Sequence, residues 1–563
     1  MPESLILHNF QKFAPKIEKL SRGLKENNIV KRIWAKDYTV WNDDPNEISS
    51  RLGWLDSPER MESRISEIME FAKNLNSDRI SDVLLMGMGG SSLAAEFFGS
   101  VKVKDKPRFR LRVINSTHPG VVKKYYENLD PSKTLYIAST KSGGTVETIS
   151  LLKFFYNSTL DRLGKENTGN RFVAITDPGS GLEKIARENR FREIFLGDPE
   201  VGGRFSALSY FGLVPAALSG WDISLLLERA RMMSVECKRE ENNPGFSLGA
   251  LLGCLALEGV NKLLVSLPGR FEMFGAWIEQ LVAESTGKDG KGILPIISGY
   301  IEKSPIYADG AYLVNLKIRG DNTHDGALGK SAQSGIPLVR IDLDDIYDFG
   351  GQFFLWGFAT AVAGHILGIN PFNQPDVESA KSAAREMVSS YKYEGKLPEP
   401  ESITIEKNID LYEPYSGNTL DSVLERFIAK AKSVTGSYIS IQAYLDPIEK
   451  VKDLLDELKA KIEGKSKLPV TLGFGPGYLH STGQLHKGDS GSGFFIQLME
   501  NYEPGLIIPD NLGSQEGSIT FGTLIKAQCI GDRKALLQAQ RNVLSIRFNA
   551  DTIKGLERLI SIF

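Results

Sequence analysis

Three times in the first third of this chain a short apolar run ends in a glycine-rich turn and passes into a helical stretch. VLLMGMGGSS (83–92) leads into LAAEFF, TLYIASTKSGGTVETISLLKFF (134–155) holds the whole plan in one segment, and FVAITDPGSGLEKIARE (172–188) repeats it. With β-type runs at FRLRVINS (109–116) and REIFLG (192–197), strands alternate with helices at the spacing of βαβ units, which implies an α/β fold with a parallel sheet. This first unit spans 75–235. A second series, KLLVSL (262–267), ILPIIS (293–298), AYLVNLKI (311–318) and PLVRIDL (337–343), marks another unit over 236–381. Residues 1–74 read as a helical segment and the polar stretch 382–435 as an arm or insertion. The strand-like runs YISIQAYL (438–445), LPVTLGFG (468–475), GFFIQLME (493–500) and VLSIRF (543–548) place 436–563 as the remainder of the second domain with a C-terminal segment. Helices are expected at 446–463 and 521–541, and no 20–50-residue repeat is present.

Composition narrows the function classes. The 563 residues exceed the roughly 250–300 at which single cores stop growing, so two or more domains are expected. A net charge of -3 leaves no basic field for nucleic acid or a membrane surface. The three cysteines, Cys237, Cys254 and Cys529, form no CxxC pair, which argues against a disulfide framework or a Cys-rich zinc site. Glu3 and Glu18 interrupt the apolar pattern of the first segment, as a signal peptide would not. FFLWGFATAVAGHILGI (353–369) contains Gly357, Gly364 and His365 and is expected as a buried helix, not a membrane span. The expectation is a cytoplasmic protein without metal or cofactor.

In an open α/β sheet, ligands bind beyond the carboxyl ends of the strands, where helix N-termini favour an anion. Thr140-Lys141-Ser142-Gly143-Gly144-Thr145 suits a phosphate monoester, with close backbone, three hydroxyls and one ammonium; a plain turn with Thr145 as helix N-cap fits the same residues. Gly87-Met88-Gly89-Gly90-Ser91-Ser92 is neither a P-loop nor a full dinucleotide fingerprint, so a nucleotide is disfavoured, while Ser91 can still donate to a sugar or phosphate oxygen. In FEMFGAWIEQLVAESTGKDGKG (271–292), Phe274, Trp277, Ile278, Leu281 and Val282 make an apolar helix face. Gln280 and Glu284 fall side by side on its flank, Glu279 points away, and the helix stops at Ser285-Thr286-Gly287. Glu284 is either a proton-transfer base at a partly buried helix edge or a solvated flank residue. Arg204, after two glycines in GGRFSALSYFGL, can hold a phosphate or a developing oxyanion, or make a surface salt bridge.

Taken together these segments resemble the phosphoglucose isomerase family: MGMGGSS its IGIGGS loop, STKSGGTVET its phosphate loop, GGRFSALSYFGL its GGR-[YF]-S motif, QLVAESTGKDGKG its Q-x3-ES-x-GK signature, and INPFNQPDVESAK (369–381) its NPFDQ-x-GVE-x-x-K segment. Beyond residue 430, GPGYLHSTGQLHKG and TFGTLIKAQCIGD resemble the isomerase half of bacterial transaldolase–isomerase fusions. The resemblance implies two sugar-isomerase-type α/β/α sandwich domains and a reversible aldose–ketose isomerisation of glucose 6-phosphate and fructose 6-phosphate through a cis-enediol. It implies that Gly90, Ser91, Thr140, Lys141, Ser142 and Thr145 surround the sugar phosphate, that Glu284 moves the proton between C2 and C1, and that Arg204 stabilises the enediolate. Gln280 and Gln374 line the pocket, and a histidine with Lys381 opens the ring. His480, in His-Ser-x-Gly-Gln, is favoured over His324 because of its glycine-rich flank, His486 stays open as a neighbour or the ring-opening group, and His365 is expected in the core. Asp376 stands where the family usually has Gly and Asn373 where it has Asp. A homodimer with the histidine donated across the interface is implied, and a separate transaldolase is a conceivable partner. Action on mannose 6-phosphate as well, or non-catalytic sensing of a sugar phosphate, are the alternative functions.

Overall fold

The computed structural model describes residues 5–75, 79–103, 108–298, 310–323, 325–412, 419–502 and 505–563, with the side chains of 327, 378–384 and 392 not described. The strand–turn–helix segments build the first sheet, whose strands run parallel in the order Arg110–Ile114, Asp82–Gly87, Thr134–Ser139, Phe172–Thr176, Glu193–Leu196. The three central strands are buried at every residue, so they read as continuous apolar runs without alternation, as strands covered on both faces do. The second sheet aligns Leu338–Leu343, Ala311–Ile318, Lys262–Ser266 and Leu294–Ser298 in parallel. Leu5–His8 adds an antiparallel edge strand to it, so the expected helical N-terminal segment begins with a strand. Four residues are too few for a period to show. Its helices follow at Ala14–Glu26, Ile29–Trp34, Ser57–Glu62 and Ile65–Asn74.

The C-terminal region departs from the sequence expectation. Residues 436–563 do not complete the second sheet; they form a third. Val470–Phe474, Tyr438–Tyr444, Gly493–Glu500 and Asn542–Phe548 lie parallel in that order. The supposed polar arm is structured as well: the hairpin Ser402–Glu406 and Ile409–Tyr412 extends this sheet antiparallel to Asn542–Phe548, and Leu420–Lys432 is a helix. Strand patterns specify burial and direction but not which edge a strand joins, which is why the pattern placed these runs in the wrong sheet. The third unit has its own core, including Phe427, Ile441, Leu455, Phe494 and Ile546. Its strand order reverses beside Tyr438–Tyr444, a topological switch point, and the loop leaving Val470–Phe474 carries His480.

The first two units share one core. Asp348–Leu367 is buried almost all round, as expected for an interior helix, and no described helix is long and apolar enough to cross a membrane. Its Phe353 ring packs against Trp277 at 4.6 Å, Phe274 at 5.0 Å, Phe98 at 5.7 Å and Phe97 at 5.8 Å. These rings come from helices of both units, so the cluster fixes the helix Glu272–Thr286 against the helix Leu93–Ser100. Phe353→Ala is expected to destabilise the protein by about 3–5 kcal/mol, read as a lowered midpoint in urea unfolding followed by tryptophan fluorescence.

Candidate active site

The helix Glu272–Thr286 buries Phe274, Trp277, Ile278, Leu281 and Val282, and Gln280 and Glu284 on the flank of that face are buried too, where the helix meets the turn that carries Arg204. The helix ends at Gly287, as the sequence indicates. Glu284 Oε1 lies 3.3 Å from Arg204 Nη1, and Glu284 Oε2 accepts from Gln280 Nε2 at 3.0 Å. Arg204 is buried in the turn Gly203–Leu208. Its Nε donates to Ser285 Oγ at 2.8 Å, Nη1 to Gln374 Oε1 at 3.3 Å, and Nη2 to the carbonyls of Pro371 at 2.7 Å and Asn373 at 3.0 Å. Burial lowers the guanidinium from its ordinary value and the Glu284 carboxylate opposes that shift. Arginine stays charged nonetheless, so the pair is a buried, hydrogen-bonded ion pair and not the surface salt bridge that composition allowed.

The glycine turn after Asp82–Gly87 closes over this pair. Gly89 has φ +51°, and a Cβ there would meet Gln280 Nε2 and the His480 carbonyl, each at 2.7 Å. A Cβ on Gly90 would stand 2.1 Å from the Gly203 carbonyl oxygen. Both positions require glycine because other backbone and side chains occupy the Cβ space. Ser91 is buried, and its carbonyl accepts from Ser139 Oγ at 2.8 Å. In the second turn, Thr140 Oγ1 and Thr145 Oγ1 share a hydrogen bond of 2.8 Å, and Gly144 N donates to Ser142 Oγ at 3.3 Å. Thr145 does occupy the N-cap position of Val146–Leu163, without a side-chain cap bond. Lys141 is engaged elsewhere: its ammonium binds Asp177 Oδ2 at 2.5 Å and the Asp198 carbonyl at 2.9 Å. Burial lowers the Lys141 value and Asp177 opposes it.

His480 enters from the third unit of the same chain. Gln280 Nε2 donates to its carbonyl at 2.7 Å, and its Nε2 lies 3.0 Å from Glu147 Oε1. The loop is clamped further along. Gln484 Nε2 donates to the Gly287 carbonyl at 3.0 Å, and Gln484 Oε1 accepts from Asp376 N at 3.0 Å. His486 faces a different environment, ringed by Tyr438, Tyr478 and Phe495, where burial pushes its value well below the ordinary one. His365 is half-buried at the end of the interior helix and bonded to the Val40 carbonyl, a structural contact away from the site. His324 and the side chain of Lys381 lie outside the described residues; Lys381 belongs to the helix Pro375–Glu394.

Several site residues escaped the sequence reading. Glu147, in the first turn of the helix after the hydroxyl loop, is buried against His480. Lys288 holds the Asn373 carbonyl at 2.6 Å and the Asn370 carbonyl at 2.8 Å, and burial brings its value well below the ordinary one. Glu279, which a helical projection turned away, reaches Ser481 Oγ at 3.5 Å, and burial pushes it up to about 7. Only the third unit explains that environment, and no sequence signal pointed to it. Among the described residues no group of three or more His, Cys, Asp or Glu could hold a metal ion.

Residues 56–293 match the family model described as phosphoglucose isomerase. A probable glucose-6-phosphate isomerase of Methanococcus maripaludis is 30% identical over 394 residues, covering 62% of this chain and 87% of that protein. The chain belongs to the phosphoglucose isomerase family. A glucose-6-phosphate isomerase of Streptococcus pyogenes is 28% identical over 391 residues, covering 59% of this chain and 86% of the relative. Among solved structures, a hypothetical protein of Thermus thermophilus superposes with a TM-score of 0.59 at 25% identity over 68% of this chain and 99% of that one. A glucose-6-phosphate isomerase of Chlamydia trachomatis shares the fold, with a TM-score of 0.57 at 16% identity over 68% and 87% of the two chains. In this phosphoglucose isomerase family member, Gly90→Ala is expected to push the Gly203 carbonyl away and displace Arg204. The cost should be about 1–3 kcal/mol, seen as a lower melting temperature, together with weaker protection by added fructose 6-phosphate.

Proposed function

We propose that the protein is a glucose-6-phosphate isomerase that interconverts glucose 6-phosphate and fructose 6-phosphate. The observation that carries this reading is the buried contact between Arg204 and Glu284, 3.3 Å apart, beside the glycine turn of Gly89 and Gly90. A carboxylate whose second oxygen is oriented by Gln280 is suited to take the C2 proton and return it at C1. The adjacent guanidinium balances the negative charge that grows on the enediolate oxygens. Backbone and hydroxyls of the Gly89–Ser91 turn and the Thr140–Thr145 loop hold the phosphate, with Gln374 beside Arg204. His480, backed by Glu147, moves the proton at the ring oxygen, and Lys381 assists. The reading brings with it a cytoplasmic setting and a place in glycolysis. A homodimer, if formed, is not needed to bring His480 to the site, because one chain carries both.

Glu284→Gln keeps the shape of the side chain and removes the base. In a coupled assay of fructose 6-phosphate turnover its kcat should fall about 10²–10⁴-fold; near-normal turnover would sink the assignment. His480→Ala should slow turnover of the cyclic sugar more than that of an open-chain substrate, and equal losses would count against a ring-opening role.

A further inference from the structure

Glu147 is gripped from a second side by a residue within the TFGTLIKAQCIGD segment. Gln528, in the helix Phe521–Gln538 of the third unit, donates from Nε2 to Glu147 Oε1 at 2.7 Å. That oxygen is the one that meets His480 Nε2 at 3.0 Å. The other end of the amide, Gln528 Oε1, accepts from Thr117 Oγ1 at 2.8 Å. Gln528 is 3% exposed and Thr117 0%, so neither group has water as an alternative partner.

The chemistry of the four groups fixes the direction of every bond. An ionised carboxylate only accepts, so the Gln528 amide must turn its NH₂ toward Glu147 and its oxygen toward Thr117. The Thr117 hydroxyl then donates. Glu147 likewise requires His480 to carry its proton on Nε2, which leaves Nδ1 as the basic nitrogen. Among the described residues Nδ1 has no partner within the chain. A donor on Oε1 also draws negative charge away from the contact with His480.

We propose that Gln528, oriented by Thr117, is a positioning residue that sets the tautomer and basicity of His480 through Glu147. Among the described residues, the charged groups on the elements packed around His480 include Glu147 itself, Glu279 and Glu284 on the helix Glu272–Thr286, Arg204 paired with Glu284, and Asp376, held by Gln484. On the helix that carries Gln528, Asp532 is bound to Lys487 and Tyr478, and Lys526 to Glu399, so neither competes for the imidazole. The kinetic consequence rests on the isomerase reading; the coupling to His480 does not.

The test uses the full chain labelled with ¹⁵N-histidine, with the His480 signal assigned by its loss in His480→Gln. Gln528→Met keeps the length of the side chain and removes the donor. The His480 pKa should rise by about 0.5–1, and the acid limb of the kcat profile for fructose 6-phosphate should move with it. The kcat should fall about tenfold, as for the loss of one hydrogen bond to a charged group, with KM changing less than about twofold. Thr117→Val frees the amide to rotate and should give a smaller change of the same sign; it decides alone if Gln528→Met does not fold. Folded variants whose His480 titration stays within about 0.2 of wild type, whatever their stability, would overturn the proposal. Absence of any turnover in wild type would overturn the isomerase reading instead, with the titration still deciding the role of Gln528.

Discussion

A guanidinium taken out of water must be given acceptors, and the way Arg204 is satisfied organises the whole catalytic region. Its three nitrogens reach a hydroxyl, an amide oxygen, two backbone carbonyls and a carboxylate. Those partners come from the helix Glu272–Thr286 and from the 371–374 loop, while Arg204 itself stands on a turn of the first unit. Removing one partner from such a pair typically costs about 3–5 kcal/mol, because it strands a buried charge. The charge therefore ties together segments that are distant in sequence. It also explains the crowding at Gly90, where only a residue without Cβ lets the glycine turn lie on the Gly203 carbonyl that precedes the arginine.

The third unit answers a different need. On the proposed reading the contact between the first two units supplies a base and an oxyanion partner, and the group that handles the ring oxygen enters from outside both. The loop after Val470–Phe474 does so at the carboxyl end of its own sheet, beside the strand-order reversal where open α/β sheets place their functional loops. Leu485 and Phe495 share an apolar cluster with Leu294 and Leu313, and Phe521 and Leu524 one with Leu151 and Phe155, while the hold at the site is polar: Gln280 to the His480 carbonyl, Gln484 to Gly287 and Asp376, Gln528 to Glu147. Directional bonds of this kind fix the position of a side chain more closely than apolar contact of equal area would. Asp376, a departure from the usual family residue, is part of that clamp through its backbone N–H.

The parts of this arrangement that were legible in the sequence are those set by local pattern. The glycine turns, the apolar face that aims Gln280 and Glu284, and the helix stop at Gly287 follow from spacing alone. The second sheet's parallel strands were legible for the same reason, as runs buried on both faces. What failed was long-range. Nothing local tells whether a parallel strand joins one sheet or the next, so the third sheet was folded into the second. Glu147, Glu279 and Gln528 owe their environments to residues more than two hundred positions away, and their own neighbours in sequence describe ordinary helix positions. Lys141 also has a partner that its own neighbours do not reveal: its setting invites a phosphate, and Asp177 balances its charge.

That last pairing bears on how a chain of net charge -3 can hold a dianion at all. A free lysine in a buried loop would be costly, since burial lowers its affinity for the proton. Pairing it with Asp177 keeps it charged and in place at no net field. On the proposed reading what attracts the anion is local: backbone N–H groups at two helix starts, and the hydroxyls of Thr140, Ser142 and Thr145. Dipoles of this sort act over a few ångströms and are strongest where water is excluded. A site so built favours a phosphate already seated in the turn over anions passing at a distance. The near-neutral composition is thus compatible with tight recognition, because the selective forces are short-ranged and their geometry is fixed by the same backbone that forms the strands.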